Sequence, residues 1–130
     1  MHSRPPMIGL RHLALYVDNL DACEQFYTHT LGMTLDWKPD ADNVYLTFGT
    51  DNLALHRSTK NIAGPQRLDH LGFFVPHADD VDAWHAWLVA HDTAIIALPK
   101  THRDGARSFY CKDPAGNALQ FLHMPNTHSA

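Results

Sequence analysis

Two stretches of the chain, Arg11-His12-Leu13-Ala14-Leu15-Tyr16-Val17 and Asp69-His70-Leu71-Gly72-Phe73-Phe74-Val75, repeat one pattern at an offset of 58 residues, His12 to His70. Both stretches alternate in polarity, which predicts half-buried strands. The alternation places His12 and His70 at the same position of each strand, on the face opposite the leucines. Two imidazoles at equivalent places of a duplicated unit can meet across a pseudo-twofold axis, which is one way to build a metal site.

The composition predicts one globular domain and argues against nucleic acid or a membrane as a partner. The chain has 130 residues, of which 45% are hydrophobic and 18% charged, and its formal net charge is −4. This length is enough to bury one core. An acidic balance without a basic run disfavours nucleic acid. No apolar stretch approaches the roughly 20 residues that span a bilayer.

The cysteines and the start of the chain bear on the cellular compartment. Cys23 and Cys111 lack CxxC spacing and fall inside predicted elements, which favours buried thiols in a reducing compartment. The first residues have no apolar signal core behind them, so export is not expected. We therefore expect a cytoplasmic protein.

The segments around the repeated strands predict the order βαβββ twice. Acidic and capping residues at 18–21 begin a helix, Gly32 ends it, and three short strands follow at 34–38, 43–48 and 53–57. In the second module a strand at 68–75 precedes a helix that begins at Asp79-Asp80, with Asp92 where a terminating glycine is usual. Its remaining strands are predicted at 94–98, 107–112 and 118–123.

These elements give an α+β fold, with two tandem βαβββ modules that form curved mixed sheets around a cavity. The modules lie at about 8–58 and 67–124 of a single domain spanning 1–130, and Gly64-Pro65 belongs to the linker between them. Aromatic residues at helical spacing are predicted to lie in the core. They are Phe26, Tyr27, Trp84 and Trp87.

Taken together, these segments resemble the vicinal oxygen chelate superfamily, which contains glyoxalase I, fosfomycin-resistance enzymes, extradiol dioxygenases and bleomycin-binding proteins. The resemblance rests on the duplicated unit, the strand from Arg11, the stretch FYTHTLGM at 26–33 and the closing DPAGNALQF at 113–121. It covers roughly residues 8–124 and implies the glyoxalase-like fold. It also implies a small-molecule substrate and a homodimer, with the cavity completed either within one chain or by the partner chain.

The resemblance implies a divalent metal ion (Zn, Ni, Fe or Mn) held by the first and fourth strands of each module. The first-strand positions are His12 and His70, and Gln120 stands where the second module normally has glutamate. For the first module, one register pairs His56 with Gln120, and a register one residue different puts Leu55 there instead. Apolar alternation favours His56, because Leu55 then faces the helix.

The stretch Ser108–Pro114 is similar to the fosfomycin-resistance enzymes, in which the matching serine and tyrosine line the ligand cavity. Strand parity puts Ser108, Tyr110 and Lys112 on one face. Two interpretations of Tyr110 stay open. It orients or protonates a substrate oxyanion, or its hydroxyl only satisfies a local hydrogen bond.

Gln120 alters the chemistry that the resemblance implies. Neutral ligands leave the full +2 charge on the metal, which favours anionic substrates and weakens metal binding. An amide cannot shuttle a proton, so His56 would have to be the base. Extradiol cleavage normally uses two histidines and one carboxylate, and fosfomycin-type addition also keeps the glutamate. Neither chemistry transfers cleanly to this chain.

The leading hypothesis is a small metal-dependent enzyme with Lewis-acid chemistry of the isomerase or lyase type on a small oxygen-bearing substrate, in which His56 and Tyr110 are catalytic. The alternative is a metal-free protein of the bleomycin-resistance type that binds and sequesters an antibiotic or aromatic ligand. In that case Tyr16, Phe74 and Tyr110 line the cavity, with Trp37 at its edge. A purely structural or interaction protein is the third possibility.

Overall fold

The structure is a computed structural model that describes Arg4, Pro6 and residues 8–58 and 64–125. Part of the predicted linker, at 59–63, lies outside the described residues. The first module contains β1 (His12–Val17), α1 (Leu20–Gln25) continued by a π-helical turn (Phe26–Thr30), β2 (Thr34–Asp40), β3 (Asn43–Thr47) and β4 (Asn52–Arg57). The second contains β5 (Leu71–Phe74), α2 (Ala78–Ala90), β6 (Ile95–Thr101), β7 (Arg107–Lys112) and β8 (Ala118–His123).

Each module builds one four-stranded mixed sheet, so the predicted α+β fold with two tandem modules is confirmed. The strand orders are β1-β4-β3-β2 and β5-β8-β7-β6. In both sheets the first strand runs parallel to the fourth, and the other neighbours are antiparallel. Strand β5 is shorter than predicted and begins after His70, while β6 extends through Thr101, beyond its predicted end at residue 98.

The alternation of β1 buries one of its faces against the helix. Leu15 and Val17 are each 1% exposed, whereas Tyr16 between them is 57% exposed. The helix that follows carries Asp21 in its first turn, where a carboxylate is favourable to the helix dipole. The segment ends before Gly32, whose positive φ of 91° suits glycine. Local sequence thus sets both the face of β1 and the bounds of the helical segment.

Helix α2 begins and ends at side chains that the sequence marks. The carboxylate of Asp80 accepts a hydrogen bond from the backbone N–H of His77 at 3.0 Å. Asp92 takes the left-handed conformation with a φ of 60°, as expected for the residue in place of a glycine. One core prediction is wrong, because Trp87 is 48% exposed and its indole N–H donates to the carbonyl of Thr30. Neither helix of the described chain is long and apolar enough to cross a membrane.

The two modules are joined at a buried carboxylate. Asp113 is 4% exposed and accepts a hydrogen bond from the hydroxyl of Tyr27 at 2.7 Å, which links the first helix to the turn after β7. The same carboxylate accepts from the backbone N–H groups of Ala115 and Asn117 and from the Asn117 amide. Burial raises the pKa of Tyr27 well above its ordinary value, and the charge of Asp113 raises it further. Tyr27 therefore keeps the proton that this bond requires.

The edge strands β2 and β6 carry the same two irregularities. Pairing of β2 with β3 shifts register between Leu35 and Trp37 and again between Trp37 and Asp40. Pairing of β6 with β7 shifts at the corresponding places, around Ala97 and before Lys100. Such shifts change which side chains face which side of a sheet. Trp37 and Asp40 are three residues apart and would face opposite sides of a regular strand. Because of the register shifts they face the same side of β2, where Trp37 contacts Tyr45 and Asp40 contacts Asn43 on one face of β3.

Candidate functional site

His12 and His70 line the same cleft between the two modules. The cleft has a volume of about 420 Å³ and is also lined by Arg11, Asn52 and Gly72. His12 is exposed, and His70 is half-buried. Because His12 begins β1 and His70 immediately precedes β5, the duplicated strand starts bring two imidazoles to one opening.

Gln120 and Tyr110 lie next to His70 on the face of the second sheet. Gln120 pairs with Gly72 on β5 and with Tyr110 on β7, and the rings of His70 and Tyr110 are 5.3 Å apart at 89°. A Cβ added at Gly72 would lie 3.8 Å from Oε1 of Gln120, so the glycine keeps open the space beside this oxygen. Within the described residues, no side-chain hydrogen bond holds the Gln120 amide or the Tyr110 hydroxyl. Both groups are free to meet a ligand.

The strand register separates His56 from the position equivalent to Gln120. Ala14 pairs with Ala54 as Gly72 pairs with Gln120, so Ala54 is the counterpart of Gln120. The interpretation that pairs His56 with Gln120 is therefore wrong by two residues. His56 is half-buried on the face of the sheet opposite the helix, where it pairs with Tyr16.

The structure does not gather the four predicted metal ligands into one cluster within the chain. His12 pairs with Asn52, whereas His56 pairs with Tyr16, four residues further along β1. Four residues of strand span about 13 Å, which is too far for both imidazoles to reach one ion from one flat face. Among the described residues, no three His, Cys, Asp or Glu side chains come together as a metal site. The structure brings His12 to His70 and His70 to Gln120, and it leaves His56 apart.

Each of the three candidate histidines holds its Nδ1 against a side-chain oxygen. The pairs are His12 with Asn52 Oδ1 at 2.7 Å, His56 with Asn43 Oδ1 at 2.6 Å, and His70 with Asp69 Oδ2 at 2.6 Å. An oxygen of this kind can only accept, so Nδ1 carries the proton and Nε2 keeps a lone pair. The same tautomer is therefore set three times by three different partners.

Carboxylates on β2 fix the orientation of the two asparagines. The amide nitrogen of Asn52 donates to Asp36 at 3.3 Å, and that of Asn43 donates to Asp40 at 2.9 Å. With each nitrogen turned to a carboxylate, each amide oxygen must face its histidine. In the first module a carboxylate thus acts on each imidazole through an amide, whereas in the second module Asp69 contacts His70 directly.

A histidine whose Nδ1 donates to an oxygen presents Nε2 to a metal ion or a substrate. This arrangement fixes the orientation of the ring, as is usual for metal-bound and general-base histidines. The sequence alone gave no role to Asn43, Asn52 or Asp69. Adjacency to His70 is a local signal for Asp69, but the asparagine contacts cross strands and have no local signal.

The chain matches the model of the Glyoxalase/Bleomycin resistance protein/Dioxygenase superfamily over residues 9–121.
The chain belongs to this superfamily.
It is 31% identical over 119 residues to a 3-methylcatechol 2,3-dioxygenase of Pseudomonas putida, a match that covers 87% of this chain. The match takes in only 41% of the dioxygenase, so the chain spans less than half of that relative.

Solved structures agree with the superfamily fold. Lactoylglutathione lyase from Agrobacterium tumefaciens is 25% identical, with a TM-score of 0.74 and coverage of 92% of this chain and 96% of that one. An integron cassette protein from the Halifax Harbour sewage outfall metagenome is 24% identical, with a TM-score of 0.77 and coverage of 91% and 100%. The likeness to the cassette protein shows the fold alone.

Proposed function

We propose that this superfamily member is a small metal-dependent enzyme with Lewis-acid chemistry of the isomerase or lyase type on a small oxygen-bearing substrate. The observation that carries the proposal is the shared arrangement of the three histidines, each with Nδ1 held by an oxygen and Nε2 left with its lone pair. His77 and His91, at the ends of helix α2, also hold Nδ1 on an oxygen, so the proposal rests on this orientation together with the place of His12 and His70 in one cleft.

The residues that would hold a divalent ion are His12, His70 and Gln120, a set of two imidazole nitrogens and one amide oxygen. Imidazole suits Zn, Ni and Fe, and a carbonyl-type oxygen suits Mn as well. The open space at Gly72 fits this role, as does the Gln120 amide, which has no hydrogen bond to a described side chain. When bound, the ion would polarise an oxygen of the substrate.

His56 and Tyr110 would handle protons, with His56 as a base in a cavity that the partner chain completes, because within one chain His56 lies about 13 Å along the strand from the level of His12. Its Nδ1 proton is held by Asn43, so Nε2 is the nitrogen that can accept a proton from the substrate. The Tyr110 hydroxyl has no hydrogen bond to a described residue, so it can donate to an oxygen that gains negative charge. Gln120 cannot take either part, because an amide does not titrate.

A homodimer is part of this proposal. Large apolar side chains stay exposed on both sheet faces, with Tyr16 at 57% on the first and Phe74 at 71% on the second. A partner chain that covers these faces would shield the proton-transfer groups from water and enclose the substrate. The cytoplasmic location expected from the sequence stays a prediction.

The first test is elemental analysis of the untagged protein beside three variants. We expect about one transition metal per chain or per dimer, loss of that metal in His70→Ala, and tighter retention in Gln120→Glu because a carboxylate adds charge to the site. His29→Ala, an exposed histidine outside the cleft, is the matched control. A native protein that stays empty while Gln120→Glu takes up metal would contradict the enzyme proposal and favour metal-free binding.

The second candidate function is metal-free binding and sequestration of an antibiotic or aromatic ligand. The exposure of Tyr16, of Trp37 at 59% and of Phe74 favours it. The name of the Pseudomonas putida relative suggests a third, finer version, oxygenation of an aromatic diol. Gln120 counts against that version, since the usual ferrous site has a carboxylate in the set.

A further inference from the structure

The cleft that holds His12 and His70 also has an apolar lining to which both copies of the repeat contribute. Six aliphatic side chains line the cleft, and four of them form pairs at the offset of 58 residues that also relates the two histidines. They are Leu10 and Leu68, Leu13 and Leu71, and, from the first module, Met33 and Leu53. We call these six side chains the aliphatic lining.

The aliphatic lining includes apolar surface that the fold leaves open. Leu13 and Leu71 are half-buried. Leu15 and Val17, further along the same face of β1, are each 1% exposed. The interior thus closes over the later part of β1 and stays open near its start, where the cleft has a volume of about 420 Å³. This space is large enough for a small ligand, and the open apolar surface favours a ligand that removes it from water.

The neighbouring cavity has a different lining. It has a volume of about 410 Å³ and shares Gly72 and Phe73 with the cleft. Four further aromatic side chains line it, namely Phe48, Phe74, Trp84 and Phe121. Among the described residues that line the cleft, Phe73 and the two histidines are the ones that carry rings. Because an aromatic ligand gains most where it meets other rings, the neighbouring cavity favours aromatic groups and the cleft favours aliphatic ones.

The rim of the cleft favours a negative charge at one end of the ligand. Arg11 lines the cleft and is exposed, and its guanidinium makes no ion pair or side-chain hydrogen bond with a described residue. The same position of the second module is Asp69, whose carboxylate is held by His70. The carboxylate of Asp51, which also lines the cleft, accepts hydrogen bonds within its own turn. The guanidinium therefore remains open to a carboxylate of a ligand.

We propose that this site takes aliphatic 2-oxo acids of medium chain length. The carboxylate meets Arg11 beside His12 and His70, and the tail lies on the aliphatic lining. An aliphatic tail gains affinity with each methylene that leaves water, and a guanidinium can hold a carboxylate through two parallel hydrogen bonds. The 2-oxo group supplies the oxygen that a Lewis acid can polarise. This inference rests on the proposed function, because it names the substrate class of that same site.

The test separates recognition of the acid and its tail from the metal. It uses simple carboxylic acids without the 2-oxo group, and protein freed of metal with a chelator. Isothermal titration calorimetry gives the affinities of butanoate, hexanoate and octanoate, and we expect each added pair of methylenes to tighten binding about tenfold. Octanamide, which is neutral, should bind about tenfold more weakly than octanoate, and added salt should weaken octanoate more than octanamide. 3-Phenylpropanoate should bind about fivefold more weakly than octanoate.

Variants at the cleft and a matched control locate the ligand. Leu68→Trp fills the cleft and should weaken octanoate binding about tenfold, whereas Leu98→Trp, at an exposed position of β6 outside the cleft, should leave it unchanged. Leu10→Ala should weaken octanoate about threefold, and because Leu10 is 95% exposed its truncation leaves the core intact. Arg11→Gln should weaken octanoate about tenfold and leave octanamide unaffected. Circular dichroism checks that each variant is folded.

Several outcomes would overturn the proposal. Equal affinity of butanoate and octanoate would remove the tail site, and equal affinity of octanoate and 3-phenylpropanoate would remove the aliphatic class. An equal loss in Leu68→Trp and Leu98→Trp would place the ligand outside the cleft.

The substrate class and the metal site can fail separately. Metal uptake without octanoate binding would overturn the substrate class and leave the metal site standing. Octanoate binding to a protein that takes up no metal would keep the acid site and contradict the enzyme. Where both hold, 2-oxooctanoate should bind the zinc-loaded protein about tenfold more tightly than octanoate does, because its 2-oxo oxygen adds a contact to the ion. Equal affinities there would remove the 2-oxo group from the assignment.

Discussion

The two sheet faces share one backbone and differ in nearly every chemical group they present. Pairing registers match the first sheet to the second position by position, with His12 matched to His70 and Tyr45 to Tyr110. Other matched positions differ in character. They are Ala54 and Gln120, His56 and Leu122, Trp37 and Ala97, and Asp40 and Lys100.

The two modules therefore keep the same strand pairing, whereas the side chains on their sheet faces differ. Both modules keep the histidine at the start of the first strand and both register shifts in the edge strand. The first face then gathers rings and carboxylates, and the second keeps an amide and a phenol that have no side-chain hydrogen bond within the described residues. In the function proposed above, the base and the oxygen donor would therefore lie on different faces.

The largest expected effect is on stability, and it differs between the turn before β8 and the turn before β4. Asp113→Ala should lower the free energy of unfolding by about 3 kcal/mol or more, because it leaves buried donors of Tyr27 and Asn117 without an acceptor. The carboxylate in the equivalent turn of the first module belongs to Asp51, which is half-buried and accepts from the Phe48 N–H and the Thr47 hydroxyl. Asp51→Ala should cost about 1 kcal/mol. Urea denaturation followed by circular dichroism measures both, and equal losses would refute a special role for Asp113.

Alkaline pH should weaken both modules through one buried thiol each. Burial raises the pKa of Cys23 and of Cys111 from 9.0 to about 12, and the charge of Asp113 adds to both shifts. Between these values the unfolded thiol loses its proton while the folded thiol keeps it. The free energy of unfolding then falls as pH rises, by up to about 1.4 kcal/mol per pH unit for each thiol. Cys23→Ala and Cys111→Ala should each flatten this slope in denaturation series across that range, and an unchanged slope would contradict the prediction.

Metal affinity should depend more on Asp69, whose carboxylate contacts His70, than on Asn52, whose amide contacts His12. Asp69→Ala should weaken zinc binding about tenfold or more, because the carboxylate orients the His70 ring. Asn52→Ala should weaken it about threefold, since a neutral amide supports His12 less strongly. Competition with a chromophoric chelator gives both constants. The reverse order would show that the first module dominates the site.

The smallest expected effect compares two tyrosines at equivalent positions. Tyr110→Phe should weaken binding of 4-nitrocatechol to the metal-loaded protein about fivefold, through loss of one hydrogen bond. Tyr45→Phe keeps its ring and should leave that binding unchanged. Absorbance titration measures both. Identical constants for Tyr110→Phe and the wild type would favour a structural role for Tyr110.

Sequence reasoning succeeded where the signal is local. Alternation in β1 and a turn rich in Asp, Pro, Gly and Asn determine elements within a few residues, so the duplicated fold could be predicted. Asp92 was expected at a helix end, and it takes the left-handed conformation there. The buried state of Cys23 and Cys111 was equally local, since both thiols lie within predicted elements.

The candidate site could not be predicted from the sequence alone, because it depends on contacts between strands. Alternation places Ala54 and His56 on the same face of the strand, two residues apart. It therefore cannot decide which of them is the counterpart of Gln120, and only the strand register decides this. The partners of His12 and His56 lie 40 and 13 residues away along the chain. Trp87 sits on a helical stripe, yet a contact with Thr30 of the other module holds its ring at the surface.

The paired register shifts also govern how this molecule can associate with copies of itself. Strands β2 and β6 end their sheets, and each carries a proline at the same place, Pro39 and Pro99, within the shifted segment. At the opposite edge of the first sheet, the side-chain amide of Gln66 binds the backbone of Tyr16 as a neighbouring strand would. Edges blocked in this way disfavour strand addition, so in the homodimer proposed above a second copy would meet the broad faces of the sheets.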